Sequence, residues 1–468
     1  MKRRKLVILC AHPPHLDPRI DWIAGRAAET YDTLVLGLHD RLEREVVSIA
    51  APGGGSYTSE TLARNGKHSI FGISLLFFRA FPFSLDLAVM LLLTLLAAPL
   101  LLALAIARTV FLALRSAWRR ITKLRLIRDT SVVSGVSAAA RWTMQIAVLR
   151  RALAFLSVLF YLARSNAALA ARVQAEEKID VVHANDLETL LAGCAAKWKF
   201  GCRLVYDAHE YWPFSDVDAT RIESWIWSMA DRILVQHADA AFTVSKGLAR
   251  EMTNAYAKPF GVIPNCEPNS GKIASLQPRK VDGKKAIGFL FQGNFAPQRG
   301  TEELIAAWAH IDGAAAKLYL RGPDNLYRQM NMRLAEQLGL LNRGVVFLDP
   351  VTESDLITSA NEFDVGVIPY KPVSPSYKYC CPNKLSQYMQ AGLAVMTNAL
   401  PDVVEIVEQY GCGIAYDSGN PESIIAAVKR IAGDPLSLAR MKDSAKRGAT
   451  NAFNWEAQSK ALYASYSE

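Results

Sequence analysis

F-L-F-Q-G-N-F-A-P-Q-R-G, residues 289–300, is the stretch on which the reading of this chain turns. A short apolar run ends at Gly293, and residues 301–308 open a helix with Glu302 and Glu303 in its first turn. The order is strand, glycine turn, helix. Glycine lets a backbone come close to a ligand, and Arg299 stands where a guanidinium could reach a diphosphate. Further along, P-N-K-L-S-Q-Y-M-Q-A-G at 382–392 places a proline at a helix start, Lys384 in the first turn and Gly392 after the last. Its leading amides would also point at an anion. The two stretches together read as a phosphate cradle.

Around this cradle the second half alternates strand and helix, with strands expected at 288–292, 317–321, 345–348, 365–369, 394–397 and 413–415. The first half does the same, with strands at 6–11, 33–38, 181–184, 203–207 and 240–244 and helices at 20–30 and from Leu187. Short apolar runs between helices predict α/β architecture with doubly wound parallel sheets. At 468 residues the chain is too long for one core. The expected division is a first Rossmann-like domain at 1–267, a polar, lysine-rich linker at 268–285, a second Rossmann-like domain at 286–450, and a final helix at 451–468 returning to the first domain.

Seven scattered cysteines show neither metal-ligand spacing nor a disulfide framework, which fits a reducing compartment. The opening M-K-R-R-K-L-V-I-L-C-A begins like a signal peptide, but its apolar run stops at His12, so it reads as a buried first strand. A net charge of +9 allows nucleic acid, membrane or anionic substrates as partners. Its placement separates them. Arg108, Arg115, Arg119, Arg120, Lys123, Arg125 and Arg128 directly follow the most apolar part of the chain, with only Phe111 and Trp118 as aromatics among them, a pattern that favours an anionic membrane surface and argues against nucleic acid.

That apolar part is an insertion at about 66–135. Residues 87–107 are 21 consecutive uncharged residues, which as a helix reach roughly 30 Å, the thickness of a hydrocarbon core. The strands on either side belong to one sheet, so the number of membrane crossings must be even. A partner span is poor: 70–83 is short and holds Arg79, and 146–163 holds Arg150 and Arg151. Pro99 interrupts the run itself. The preferred expectation is a re-entrant or interfacial hairpin around 70–128, on the cytoplasmic face of the inner membrane. Two full spans and a buried soluble helix are the alternatives.

The ordered motifs also carry a family likeness. F-Q-G-N-F-A-P-Q-R-G, L-R-G-P at 320–323, D-V-G-V-I-P-Y at 364–370, P-N-K-L-S-Q-Y-M-Q-A-G-L-A-V and N-W-E at 454–456 resemble glycosyltransferase family 4, as do D-P-R-I at 17–20, V-V-H-A-N-D at 181–186, V-Y-D-A-H-E at 205–210 and V-I-P-N at 262–265. The likeness covers all but roughly residues 59–140. It implies the GT-B fold, two Rossmann-like domains facing a cleft, an acceptor-binding first domain and a nucleotide-sugar-binding second, and retaining transfer from a UDP- or GDP-sugar without cofactor or essential metal. On this likeness Gly293 and Asn294 form the turn beside the donor, Arg299 and Lys384 neutralise the diphosphate, and Asn383 begins the helix whose amides assist them. His209 is the expected catalytic residue, and Asp17, His183 and Asp186 are acceptor-side candidates. The plainer readings are solvated helix faces for Arg299 and Lys384, a satisfied loop histidine for His209, helix capping for Asp186 and loop ion pairing for Asp17.

Two positions depart from the family pattern of paired glutamates: they hold Gln387 and Tyr379. A glutamine oxygen can still accept from a ribose hydroxyl, though neutrally. Tyr379 cannot replace a carboxylate, and Ser376, Tyr377 and Lys378 are possible substitutes for its sugar contact. Asp216-Val217-Asp218 lacks a strand context and reads as a solvated turn rather than a metal pair. Placement of the insertion in the acceptor domain suggests a lipid-linked saccharide acceptor in exopolysaccharide or envelope glycan synthesis. The competing expectations are a nucleotide-sugar epimerase or hydrolase of GT-B fold and a non-catalytic scaffold subunit.

Overall fold

The computed structural model describes residues 3–40, 44–51, 54–64, 165–269, 275–278, 280 and 285–467. The insertion expected at 66–135, its candidate spans and the anchoring region 70–128 lie outside the described residues, as does most of the linker. Among the described residues no helix is long and apolar enough to cross a membrane.

Two sheets organise one compact unit. The first contains β1 (Lys5–Leu9), β2 (Asp32–His39), β3 (Glu45–Ala50), β4 (Ser56–Ala63), β5 (Val181–Asn185), β6 (Arg203–Ala208), β7 (Ala240–Thr243) and β8 (Gly261–Val262), in the order β3-β4-β2-β1-β5-β6-β7-β8. Every neighbouring pair is parallel except β3 and β4. The second contains β9 (Ile287–Gln292), β10 (Ala316–Arg321), β11 (Val345–Leu348), β12 (Val365–Ile368), β13 (Ala394–Asn398) and β14 (Gly413–Tyr416), all parallel, in the order β11-β10-β9-β12-β13-β14.

The central strands read as unbroken apolar runs because helices cover both faces. V-V-H-A-N of β5 and I-G-F-L-F-Q of β9 are buried at every residue. Two strands escape sequence reading for the opposite reason: β3, E-V-V-S-I-A, is an edge strand exposed over most of its length, and β4, S-Y-T-S-E-T-L-A, is largely polar. β8 is only two residues long.

The helices that place the site are α1 (Pro18–Ala27), α2 (Leu187–Phe200), α3 (Arg221–Leu234), α4 (Lys246–Tyr256), α5 (Thr301–Trp308), α6 (Asn383–Ala391), α7 (Pro401–Tyr410), α8 (Pro435–Asn451), α9 (Trp455–Gln458) and α10 (Lys460–Ser465). The final helices pack on the first sheet: Trp455, Leu462 and Tyr466 share a buried cluster with Leu6, Ile8, Ile20 and Val35. Strand order reverses at β1 in the first sheet and at β9 in the second. In open parallel sheets ligands bind beyond the carboxyl ends of the strands at such switch points.

Candidate functional site

Beyond those strand ends lies a cleft of about 410 Å³, lined from one side by His209, Glu210, Ser215 and Asn265 and from the other by residues 292–294, Arg299, Tyr370, 380–384 and Gln387. It brings together most of the donor-side residues read from sequence: Gly293, Asn294, Arg299, Asn383, Lys384 and Gln387.

Gly293 follows β9 with φ 138, a conformation that glycine tolerates and other residues rarely adopt. A Cβ there would meet Lys384 Nζ at 3.3 Å. Its carbonyl is also crowded, since a Cβ on Gly322 would come within 2.1 Å of it. Asn294 is exposed, and its Oδ1 accepts from Asn325 Nδ2 at 2.9 Å.

Lys384 is only 6% exposed. Its ammonium donates to the Tyr370 hydroxyl and lies 4.3 Å from the Tyr370 ring centroid and 5.1 Å from that of Phe291. No carboxylate pairs with it among the described residues. Burial, then the neighbouring Arg299 charge, holds its pKa well below the ordinary lysine range. The Arg299 guanidinium lies 4.1 Å from the Tyr370 centroid and 5.6 Å from that of Tyr377, and its Nε is buried without a hydrogen-bond partner. Beside them α6 begins with Pro382 at its N-cap and no side-chain cap, leaving first-turn amides to other acceptors. Two basic side chains without a paired carboxylate, beside a helix N-terminus, are groups that can hold an anion.

Tyr379 is elsewhere. Its ring packs against α4, beneath Gly247 and 5.7 Å from the Arg250 guanidinium, and it does not line the cleft. Its carbonyl accepts from Ser245 Oγ at 2.5 Å. The donor contact expected of Tyr379 is thus replaced by a bond between lobes. Of the expected substitutes, Tyr377 and Ser376 do line the cleft, and Ser376 Oγ accepts from the Tyr211 amide at 3.2 Å.

On the opposite wall His209 follows β6. Its Nδ1 lies 3.3 Å from Asp17 Oδ2 and 3.6 Å from Asp186 Oδ2, and its Nε2 lies 3.1 Å from Asn185 Oδ1 and 3.6 Å from Asp207 Oδ2. Burial opposes the charge, but Asp186, Asp17 and Asp207 hold its pKa well above the ordinary histidine range. These carboxylates favour the imidazolium form of His209, in which both ring nitrogens donate and neither has a lone pair for a proton. Asp207 is buried by the sheet, yet Arg19, bonding it from Nε at 3.0 Å and Nη2 at 2.9 Å, and both histidines keep it well below the usual carboxylate range. Asp17 is also lowered despite burial, chiefly by His209, whereas burial outweighs His209 and raises Asp186.

Asp17 and Asp186 flank His209 and His183 meets it only through Asn185 and Asp207, and none of the three lines the cleft. The capping expected of Asp186 belongs instead to Asp17, whose Oδ1 accepts from the Arg19 amide at 2.9 Å at the start of α1. Asp186 has φ 57 and gives no cap to α2; its Oδ1 accepts from the His209 amide at 2.8 Å. His183 is fully buried. Asp216 Oδ1 accepts from the Asp218 amide at 2.9 Å, a local turn.

Asn185, Asp207, Tyr370, Gln292 and Glu267 were not singled out by sequence reading, whereas Arg19 was, with Asp17, in the loop after the first strand. Arg19 sits inside D-P-R-I and Asp207 inside V-Y-D-A-H-E, so motif membership marked both; nothing local marked Glu267, whose carboxylate accepts from Gln387, 120 residues away.

Comparison with known proteins agrees with this geometry. Residues 110–266 match the family described as glycosyl transferase 4-like domain, and residues 286–434 match glycosyl transferases group 1. An uncharacterized glycosyltransferase of Bacillus subtilis strain 168, YqgM, is 26% identical over 276 residues, 57% of this chain and 69% of its own. Another, MJ1607 of Methanocaldococcus jannaschii, is 27% identical over 303 residues, 60% of this chain and 73% of its own. Among solved structures, sucrose-phosphate synthase of Thermosynechococcus elongatus superposes with a TM-score of 0.65 at 15% identity, over 99% of this chain and 98% of its own. HepE of Anabaena, in complex with UDP and glucose, gives 0.60 at 14% identity over the whole of both chains. At such identities the structures establish the fold, an α/β, two-domain, GT-B-like arrangement of parallel sheets.

Proposed function

We propose that this chain, which carries both glycosyltransferase domains, moves a sugar from a UDP- or GDP-sugar to a lipid-linked saccharide at a membrane surface. The observation that carries the reading is the pair Lys384 and Arg299: two largely buried basic side chains, no carboxylate paired with either among the described residues, beside the uncapped start of α6. A diphosphate supplies the missing negative charge. The UDP-bound state of HepE is consistent with such a donor.

In the proposed reaction the bond between the sugar C1 and the diphosphate oxygen breaks, a C1–O bond forms to the acceptor hydroxyl on the same face, and the acceptor proton passes to the departing phosphate. Lys384, Arg299 and the α6 amides stabilise the charge that develops on the leaving group, the role a divalent ion serves elsewhere, so turnover requires no metal. His209, being charged, places positive potential beside the transferring sugar and does not act as a base. Membrane association rests on the apolar 87–107 run and the basic residues after it.

The test is incubation of the full chain with UDP- and GDP-sugars and a membrane lipid extract, following nucleoside diphosphate and labelled lipid. Release that requires lipid and survives chelation supports the proposal. Release or epimerisation without lipid points to the hydrolase or epimerase, and silence with every donor points to a scaffold.

A further inference from the structure

Behind the cleft a line of hydrogen bonds runs in one direction. Glu267, in the segment leaving β8, is fixed through its main chain: its amide donates to Ser386 Oγ at 2.7 Å, and its carbonyl accepts from Gln390 Nε2 at 2.7 Å and from the Trp455 amide at 3.3 Å. Its carboxylate is thereby held against α6, where Glu267 Oε1 accepts from Gln387 Nε2 at 3.0 Å. An ionised carboxylate only accepts, so the Gln387 amide must turn its NH2 to Glu267 and its oxygen away. That oxygen accepts from Gln292 Nε2 at 3.1 Å. Gln292 Oε1 is left over: the residue is 2% exposed, lines the cleft, and this oxygen is buried without a partner. A buried amide oxygen without a donor is a cost that a bound ligand can remove.

We propose that Glu267 is a positioning residue which, through Gln387, presents Gln292 Oε1 as the acceptor for a neutral hydroxyl or N–H of the bound nucleoside. The proposal rests on the nucleotide-sugar reading above. It divides the cleft by chemistry: Lys384 and Arg299 take the anion, and the Gln292 edge takes a hydrogen-bond donor. The Gln387 oxygen, which the sequence offered for that task, is already engaged inside the protein.

Protonation of Glu267 reverses the line. Its O–H then donates to Gln387 Oε1, Gln387 donates to Gln292 Oε1, and Gln292 presents its NH2 instead. Burial pushes Glu267 up to about 7, with Glu353 adding to the shift and the Gln387 bond opposing it. The other ionisable groups around it are the Cys266 thiol, Glu456 of α9, which accepts from the Asn269 amide, and Lys446 of α8, which donates to the Gln390 carbonyl.

Isothermal titration of the full chain with UDP, GDP and inorganic diphosphate tests this in wild type, Gln292→Met and Glu267→Gln. Gln292→Met is expected to weaken the preferred nucleotide about three- to tenfold and to leave diphosphate unchanged. In wild type the ratio of nucleotide to diphosphate affinity is expected to fall as pH drops from about 8 to about 6, and in Glu267→Gln to be low and flat, because an amide fixes no direction. The ratio cancels the titration of Lys384, which both ligands share. Equal weakening of nucleotide and diphosphate would mean a merely structural role and overturn the inference, as would unchanged nucleotide binding in Gln292→Met. Wild type that binds neither nucleotide nor diphosphate would overturn the nucleotide-sugar reading itself, and this inference with it.

Discussion

Tyr466 Oη lies 2.9 Å from His183 Nδ1, joining the chain's last helical segment to the middle of the first sheet. For a neutral His183 ring the neighbouring bonds set the direction. Asn185 Nδ2 donates to the Leu9 carbonyl at 2.9 Å, so Asn185 turns its oxygen to the two histidines. His183 Nε2 donates to that oxygen at 3.2 Å and His209 Nε2 at 3.1 Å, which leaves His183 Nδ1 to accept the Tyr466 proton. Tyr466, just past the C-terminal helix, is thus two hydrogen bonds from Asn185, the residue that bonds His209. Tyr466→Phe keeps the ring packing and strands a buried nitrogen. It is expected to lower unfolding free energy by about 1–3 kcal/mol in urea titration, and to reduce turnover more than nucleotide affinity.

The lobes meet at Gly247. A Cβ there would stand 2.2 Å from the Tyr379 ring and 2.4 Å from Asp402 Oδ2, while the Gly247 amide donates to Asp402 Oδ1 at 2.8 Å. Gly247→Val is expected to part α4 from the Tyr379 and α7 side of the second lobe. The cation site lies in the second lobe alone, so nucleotide should still bind while turnover falls by about an order of magnitude or more, the loss expected when reacting groups are displaced by about 1 Å. Small-angle scattering should show a larger radius of gyration.

How much of this was legible beforehand differs between the two lobes. In the second, the residues expected to hold the donor fall on a glycine turn and a helix start, local features whose spacing survives folding, and Arg299 and Lys384 both meet Tyr370 at the cleft where the sequence placed them side by side. The first lobe is harder because its site is assembled from distant contacts. Asp207 is apolar-flanked and reads as the end of a strand; only the fold shows Arg19 arriving from 188 residues away to hold it ionised. Tyr379 was misplaced because the pattern fixes its position in the chain but not the side to which its short helix, Pro375–Lys378, turns it. Strands β3 and β4 were missed because neither has the buried apolar run that marks a central strand: β3 is an exposed edge strand, and β4, paired on both sides, is largely polar.

Lys384 gives a signed pH prediction. Burial and Arg299 depress its pKa in the free protein, so above that value the cradle has lost its ammonium charge. A bound diphosphate favours the protonated form, so binding takes up a proton, and affinity falls as pH rises through the depressed pKa of the free protein. Titration in two buffers of different ionisation enthalpy measures the uptake. Lys384→Met should abolish it and weaken nucleotide by about 2 kcal/mol, the contribution of a charge-assisted bond.

His209 gives the opposite sign. Its pKa is raised above the unfolded value by Asp186, Asp17 and Asp207, so its contribution to stability is complete below the ordinary histidine range and is lost as pH rises through the elevated value. His209→Asn removes the cation and leaves the surrounding carboxylates facing one another, a change expected to cost about 3 kcal/mol near neutral pH and progressively less in alkaline solution. Asp17→Asn keeps the imidazole but removes the nearest of those carboxylates, 3.3 Å away, and should bring the His209 titration down toward neutrality. Imidazole nitrogen shifts followed by NMR separate the two effects. If His209 titrates near the ordinary histidine value in wild type, it is available as a base and the charged role argued for it is wrong; if it stays protonated through neutral pH and Asp17→Asn loses turnover as pH rises, the charge itself is what the reaction uses.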